Sequence, residues 1–425
     1  MKLLKKLASI SNDRKILVLI FSYFVGSAVF GLLNEFLFID NSPSPLTLIF
    51  YLCILLPIFI FAIPAILKTI SLRDLLFFLL LLFIFAIAYM FFPQNRSYMV
   101  ENVPGIIISC IPYYFIFRML PLFSKESKKI LWLASLLSIL FLCSKSIIIY
   151  IKESGPIEME LSYGFLFYSL FNCYFAFESK KIYEISIASV AIIISMLSMF
   201  ILGSRGPILF VTLYILFLLL NVKIKKTISK TLFLIFLFIF ILITVIFYKE
   251  FYSWFSKIAD IIGFEGRLFE IDSITELFSL RGRDELSETV YKAMPYSLAY
   301  GYGLFGDWFI TSGSRYNYGV YVHNIFLGFI SNFGSLSGLI FFILFVYLCL
   351  KMLVFYKKYS YAQSILQILI ICGFLKLFIS GTFITEKYFW SILGFYIGYL
   401  DIRDKTSSKV YIHNILNIEL FQIQI

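Results

Sequence analysis

Long apolar runs recur along this chain, and they limit its fold more than any other feature of the sequence. A run of 18 or more such residues is long enough, as a helix, to cross the ~30 Å hydrocarbon core of a membrane. Charged residues make up only 14% of the chain and hydrophobic residues 61%, whereas about a quarter of the residues of a soluble domain are charged. The sequence therefore predicts an all-α, polytopic integral membrane protein.

Hydropathy predicts about twelve transmembrane helices, with one large loop between the ninth and the tenth. Residues 1–248 would hold nine spans, 249–322 the large and partly helical loop, 323–403 three spans, and 404–425 a tail. The first span is too long for the apolar part of a signal peptide, and no cleavage site follows it, so we expect it to be retained. The spans are expected at 16–33, 46–67, 75–93, 104–122, 130–150, 161–177, 182–202, 207–222, 231–248, 325–349, 364–382 and 388–402.

Lysine and arginine residues concentrate in alternate loops, which predicts the orientation of the chain. Most of the 36 basic residues fall in segments such as "MKLLKKLASISNDRK" and "KIKKTISK", whereas the short loops between them carry few. Because basic loops stay in the cytoplasm, both termini are expected there and the large loop outside. The net charge of +11 is thus explained by topology, and we expect no nucleic-acid partner.

Neither a metal nor another cofactor is predicted. The six cysteines all lie in apolar runs without a C-x-x-C spacing, so we expect packed thiols rather than disulfides or a zinc site. The two histidines, His323 and His413, fall on opposite predicted sides of the membrane and cannot share a metal.

The second half of the large loop carries a helix signal. "RDELSETVYKAM" places Leu286, Val290 and Met294 at helical spacing, with acidic residues early, where the helix dipole favours them. Pro295 would end this helix. The glycine-rich "AYGYGLFGDWF" would then turn the chain back toward the membrane.

Three of the arginines on the predicted outer side, where the charge rule disfavours them, lie in short motifs. Arg205 falls in the tight hairpin "GSRGP", and Arg281 and Arg283 flank Gly282 just before the predicted loop helix. One interpretation is that Arg205 snorkels at a helix end and that Arg281 and Arg283 are solvated loop residues. The other is that guanidinium groups at headgroup depth grip a phosphate through paired hydrogen bonds.

His323 directly precedes a long apolar stretch, "NIFLGFISNFGSLSGLI". A lone histidine there fits a packed interfacial residue as well as a functional one. His413 in the tail begins the same His-Asn-Ile tripeptide, so the tripeptide alone carries no information and position must decide. Gly334 and Gly338 form a G-x-x-x-G pattern, which is typical of close helix packing.

Ionisable residues inside predicted spans are functional candidates, because charge is costly in lipid. Arg118 lies near the predicted inner end of its span, where it could snorkel to the surface. Lys145 and Lys376 lie in the outer halves of theirs and could line an outward-facing cationic pocket. The outer acidic residues are candidate proton acceptors that no spacing separates: Glu158, Glu160, Asp307 and Glu386.

Three motifs resemble, in order and spacing, those of the bacterial O-antigen polymerases and O-antigen ligases. "GSRGPIL" resembles the family's serine-arginine-glycine signature in an outer hairpin. "LRGRDELSETVYKAM" followed by "GYGLFG" resembles its glycine-arginine motif, helix and glycine stretch, and "HNIFLGFISNFGSLSGLI" its histidine-asparagine entry into the next span. The family often has a tryptophan shortly after glycine-arginine, where this chain has "DELSETVY". Gly282-Arg283 fits the glycine-arginine pair better than Arg281 does.

The resemblance, which covers roughly residues 160–400, implies a metal-independent, inverting glycosyltransferase of the bacterial cytoplasmic membrane. Its donor and acceptor would be oligosaccharides linked to polyprenyl pyrophosphate, with chain-length regulators and flippases as candidate partner proteins. Arg205 and Arg283 would stabilise the leaving pyrophosphate, and His323 would position the donor or help to deprotonate the acceptor. Further substrate contacts are expected from Arg281, Asn324, Lys145 and Lys376.

Three functions stay open, and a repeat-unit polymerase of O-antigen or capsule is the one we prefer. A ligase that passes the finished glycan to a lipid core or a protein would use the same chemistry on another acceptor. A transporter or flippase of lipid-linked oligosaccharide would predict cations within several spans and inverted repeats with broken helices. The cations gather on the predicted outer side, which favours an outward-facing enzyme over a transporter or a purely structural protein.

Overall fold

A computed structural model describes residues 12–37, 55–120, 126–151, 159–202, 205–220, 283–312, 320–357 and 359–422. These residues contain helices and no strand, which confirms the predicted all-α class. Seven of the described helices are long and apolar enough to cross a membrane, and two apolar helices are shorter. The number of twelve spans stays a prediction, because the span at 231–248 and the first part of the one at 46–67 lie outside the described residues.

Many helix bounds follow the apolar runs, whereas α15 continues beyond the predicted span at 388–402 to Gln422. In chain order the described α-helices are α1 Asn12–Leu37, α2 Leu56–Leu67, α3 Leu72–Phe91, α4 Arg96–Gly105, α5 Ile111–Met119, α6 Glu126–Ile151, α7 Met159–Glu178, α8 Ile182–Ile201, α9 Arg205–Leu220, α10 Arg283–Ala293, α11 Gly306–Ser312, α12 Ile325–Phe333, α13 Ser335–Tyr356, α14 Ser360–Ile370 and α15 Lys387–Gln422. A widened turn, Ile106–Cys110, joins α4 to α5. Another, Ile371–Leu375, and a tighter turn, Lys376–Phe378, extend α14.

The chain divides into two compact units. Unit one contains residues 1–16, 62–124 and 283–425, and unit two contains 17–61 and 125–282. Described helices of unit two are joined by hydrogen bonds between small polar side chains, which suit helix contacts in lipid. The Ser169 and Ser195 hydroxyls lie 2.7 Å apart between α7 and α8, and the Asn172 amide donates to Ser135 Oγ of α6 at 3.0 Å.

In unit one, two glycines let α15 approach α5 more closely than any other residue type would. Gly394 and Gly398 are four residues apart and therefore lie on one face of α15. A Cβ at Gly394 would lie 2.1 Å from the carbonyl oxygen of Tyr114, and a Cβ at Gly398 would lie 2.5 Å from that of Arg118. This approach brings Asp401, one turn further along α15, to the end of α5.

A buried ion-pair network joins α3, α5 and α15 at that end. Arg118 Nε donates to Asp74 Oδ1 at 2.6 Å, and its Nη2 donates to Asp401 Oδ2 at 2.6 Å. The Tyr114 hydroxyl donates to the same Asp74 oxygen at 2.8 Å, and Arg73 donates to Asp401 at 3.0 Å. Because Arg118 is only 2% exposed, the expectation that it snorkels to the surface is wrong. The predicted inner ends of these three helices do meet.

The stretch expected as one span at 325–349 is divided at Gly334 into two helices, α12 and α13. Gly334 has a φ of +94°, in the left-handed region that favours glycine. The rings of Phe326 and Phe342 lie 5.3 Å apart, and a Cβ at Gly338 would lie 2.5 Å from the carbonyl oxygen of Phe329. The two helices are therefore antiparallel, and the G-x-x-x-G pattern serves a helical hairpin rather than one continuous helix.

We expect Gly394→Ala to destabilise unit one, because the added methyl group would collide with the backbone of α5. Overpacking typically costs about 1–3 kcal/mol. Gly105→Ala is the matched control, since nothing lies within 4 Å of its Cβ position and alanine favours a helix by roughly 0.5–1 kcal/mol. Thermal unfolding in one detergent should rank Gly105→Ala at or above the parent and Gly394→Ala below it; equal stabilities would contradict the close approach.

Arg118→Leu should destabilise the protein by about 3–5 kcal/mol, because it leaves the buried Asp74 carboxylate without its guanidinium partner. The double variant Arg118→Leu/Asp74→Leu removes both charges and should recover much of that loss. Denaturant unfolding of the purified protein measures both. A double variant as unstable as Arg118→Leu would show that packing, rather than the unpaired charge, causes the loss.

Candidate functional site

His323 is held in an unusual backbone conformation in unit one. Its φ is +54°, a value that few residues other than glycine adopt, although histidine is among those enriched there. The imidazole packs on the ring of Tyr321, with 4.3 Å between the ring centroids. Its Nδ1 atom is buried.

The short helix α11 grips the residues that lead into His323. The N–H of Val322 donates to Asp307 Oδ2 at 3.3 Å. One turn later, the Thr311 hydroxyl accepts the N–H of Val320 at 3.0 Å and lies 2.6 Å from the carbonyl oxygen of Val320, closer than to the carbonyl oxygens of Asp307 and Trp308 at 2.9 and 3.1 Å. Asp307 and Thr311 are four residues apart and so share one face of α11. Both are buried.

Asn332 connects α11 to the far end of α12. Its Oδ1 accepts the N–H of Gly306 at 3.2 Å, and its amide nitrogen donates to the carbonyl oxygen of Gly328 at 2.6 Å and to Asp307 Oδ1 at 3.4 Å. Burial raises the pKa of the Asp307 carboxyl to about 6, although the Val322 N–H and the Asn332 amide favour its charged form. A buried carboxylate that is ionised at neutral pH thus lies next to the histidine segment.

The predicted loop helix is confirmed as α10, and it packs against the same segment. Val290, Val322 and Leu327 form a buried apolar cluster that Met294 and others cover. The helix ends at the turn containing Pro295, as expected. Arg283 begins α10 and lies about 10 Å along its axis from Val290, at 1.5 Å per residue. The structure therefore brings the Arg283 helix to the His323 segment.

The glycine-rich turn after α10 is confirmed and is anchored to the end of α3. A Cβ at Gly301, which has a φ of +64°, would lie 2.4 Å from the backbone nitrogen of Gly334. The buried Asn95 amide donates to the carbonyl oxygens of Tyr302 and Leu304 at 2.6 and 2.9 Å. The run "GYGLFG" has the spacing of a dinucleotide-binding loop but follows a helix rather than a strand, so it does not indicate one.

Lys376 is an ion-pair partner in this structure. Its ammonium group donates to the Glu386 carboxylate, and both side chains are largely buried. The two residues close the turn between α14 and α15, and Phe383 of that turn stacks on Phe329 of α12 at 4.5 Å. A positive charge neutralised in this way would attract an anionic substrate less than the sequence suggests.

The remaining candidate site residues lie on different helices and do not form one cluster among the described residues. Asn324 is the N-cap of α12, and its Oδ1 accepts the N–H groups of Phe326 and Leu327 at 3.0 and 3.3 Å. Lys145 belongs to unit two, where it is half-buried on α6 and its Cδ lies 3.6 Å from the Cβ position of Gly31. Arg205 begins α9, also in unit two. Arg281, Glu158 and the side chains of Arg205 and Arg283 lie outside the described residues.

The sequence does not single out the residues that hold His323. Asp307 is one of four equivalent outer acids, and no motif marks Thr311, Asn332 or Asn95. The only local signal is the four-residue spacing of Asp307 and Thr311. Their hydrogen-bond partners lie between 9 and 25 residues away in the chain, beyond the reach of a local pattern.

The raised pKa of Asp307 predicts a pH-dependent stability. Ionisation is less favourable in the folded state than in the unfolded one, so stability falls as pH rises from about 4 to about 6 and is constant above that. Asp307→Asn cannot ionise. At pH 7.5 the variant should gain on the order of 2–3 kcal/mol over the parent, relative to their difference at pH 4. Unfolding of both proteins across this range measures the gain; a difference independent of pH would contradict it.

Comparison with known proteins yields one family. Residues 190–343 match the family model described as O-Antigen ligase, and this range contains Arg205, Arg283 and His323. The resemblance to the O-antigen polymerases and ligases is thereby confirmed over this part of the chain. No curated protein and no solved structure matches the chain. The match supports a glycan-processing role for a multi-pass membrane protein.

Proposed function

We propose that this chain, whose residues 190–343 match the O-antigen ligase family model, is a membrane glycosyltransferase. Its donor would be an oligosaccharide on a polyprenyl pyrophosphate, presented at the outer face of the cytoplasmic membrane. The observation that carries this proposal is the construction around His323. His323 has a positive φ, and its ring packs on that of Tyr321. The preceding residue, Val322, is hydrogen-bonded to α11 and packs against α10, the helix that Arg283 begins.

The proposed reaction is an inverting substitution at the anomeric carbon of the donor. The acceptor hydroxyl oxygen forms a bond to that carbon, and the bond from the carbon to the pyrophosphate oxygen breaks. The electron pair leaves with the polyprenyl pyrophosphate, and the hydroxyl proton passes to Nε2 of His323. Histidine suits this task because its ordinary pKa lies near the operating pH.

Positive charge is needed where the pyrophosphate leaves. Arg283 would supply it, since a guanidinium can donate two parallel hydrogen bonds to one phosphate and is most effective when it is held in place before the reaction. Arg205 is proposed for the same task on the strength of its sequence motif. With arginines in this role the reaction requires no metal. Arg281, Asn324 and Lys145 remain proposed substrate contacts, and Lys376 a weaker one because of its pairing with Glu386.

The acceptor defines the biological role, and two acceptors are proposed. Transfer to another lipid-linked repeat unit would make the chain a polymerase of O-antigen or capsule, which is our first proposal. Transfer to a lipid core or a protein would make it a ligase, which the description of the matching family favours. A flippase is not favoured, because the proposed site is built around a histidine and cations on the predicted outer side.

Arg283→Ala and Arg205→Ala should each lower the transfer rate by ~10²–10³, the usual effect of losing one preorganised electrostatic group. The corresponding lysine variants should keep part of the activity, because they retain the charge but lose the paired hydrogen bonds. Product formation from a labelled lipid-linked donor measures the rate, and glycan length on cells confirms it. His413→Ala is the control and should be silent, since it repeats the tripeptide of His323 on the other predicted side.

Normal glycan in cells that hold the Arg205→Ala and Arg283→Ala proteins at parental levels would refute the anion-binding role. A deletion strain then separates the acceptors. Single repeats on the final acceptor indicate a polymerase, and long chains left on the lipid carrier indicate a ligase. Unprocessed donor on the inner leaflet would favour a flippase and contradict both proposals.

A further inference from the structure

We infer that Asp307 and Thr311 are positioning residues for His323, and that α11 exists to hold the backbone from which the imidazole projects. This inference rests on the proposed function, in that it assumes that His323 takes part in glycosyl transfer. It adds two residues that the sequence motifs do not contain.

The side chains of Asp307 and Thr311 hydrogen-bond to backbone groups of residues 320–322 rather than to their side chains. Thr311 accepts the N–H of Val320 and has the carbonyl oxygen of Val320 as its nearest acceptor, and Asp307 accepts the N–H of Val322, the residue next to His323. Three backbone groups in three residues are therefore assigned to one face of α11. A segment outside helices and strands has no regular hydrogen-bond partners for its backbone groups. This face of α11 supplies those partners for residues 320–322.

The conformation of His323 requires such support. A residue other than glycine with a positive φ is strained by about 1–3 kcal/mol, and the strain persists only where the surroundings impose it. Asn324 fixes the backbone on the other side, because it caps α12. His323 thus lies between a helix cap and the residues held by α11, with Tyr321 packed on its ring.

The presence of an aspartate rather than an asparagine at position 307 also supports a positioning role. Asp307 is 1% exposed and has no described cationic partner among its contacts, so its charge carries a cost that an asparagine would avoid. Groups that are kept at the expense of stability are typical of functional sites. The carboxylate reaches two elements at once, since one oxygen accepts from Val322 and the other from Asn332.

A misplaced histidine would bind substrate but react slowly. A shift of about 1 Å in a reacting group can lower the rate by about 100-fold, while donor binding depends mainly on the cations and on the lipid. Loss of the hydrogen bonds between α11 and residues 320–322 should therefore lower kcat and leave KM for the donor nearly unchanged.

The test uses the full-length protein in lipid nanodiscs, with a labelled polyprenyl-pyrophosphate oligosaccharide as donor. Thr311→Val keeps the shape of the side chain and removes the hydroxyl. We expect kcat to fall by about 10- to 100-fold, with KM within about twofold. Thr311→Ser restores the hydroxyl and should recover most of the rate. Thr289→Val is the matched control, because Thr289 donates only within α10, to the carbonyl oxygen of Glu285 at 2.7 Å.

A double-mutant cycle separates positioning from general stability. In the His323→Gln protein, Thr311→Val should cause no further loss, because the group that it positions is gone. The same loss in both backgrounds, or full kcat in Thr311→Val, would overturn the inference. Asp307→Asn keeps an oxygen acceptor and should retain more activity than Asp307→Ala; the opposite order would also overturn it. Full activity of His323→Gln would refute the role of His323, whereas no transfer by the parent protein would refute the proposed function itself, which is a distinguishable result.

Discussion

A single buried guanidinium fixes the three helices on which unit one depends. Arg118 of α5 bonds to Asp74 of α3 and to Asp401 of α15, and a buried charge without its partner would be costly. Each helix is thus held relative to the other two at the level of Arg118, which lies near the start of α3, near the end of α5 and inside α15. At their opposite ends, α3 leads to Asn95 and α15 begins beside the Lys376–Glu386 pair. Both of those places contact the assembly that holds the histidine segment.

Ionisable residues in unit one therefore have two distinct tasks. Arg118 and Lys376 are paired with carboxylates and hold helices and turns together. His323 is instead held by backbone hydrogen bonds and aromatic packing, with a conformation that the surroundings impose. Burial by itself does not distinguish a structural ion from a functional one. The identity of the partner distinguishes them, because a charge that is paired with an opposite charge within the protein attracts a substrate only weakly.

Local sequence patterns predicted those elements whose causes are local. Hydropathy identified the apolar helices, and helical spacing with Pro295 identified α10 and its end. The short motifs around Arg205, Arg283 and His323 were sufficient to indicate the family. The division at Gly334 was not predicted, because the apolar run continues through it. Gly334 adopts a positive φ there and lies against the backbone of the turn at Gly301, a contact between distant parts of the chain.

The sequence by itself determined that this chain is an all-α membrane protein and that its motifs resemble those of the O-antigen polymerases and ligases, because hydropathy and short motifs are properties of neighbouring residues. The tertiary structure alone decided that Arg118 is buried rather than snorkelling, that Lys376 is neutralised, and that Asp307 holds the histidine segment. Each of these results depends on which polar groups meet across 10 to 283 residues of chain. A buried polar group requires a partner, and only the packing of the helices determines which one it finds.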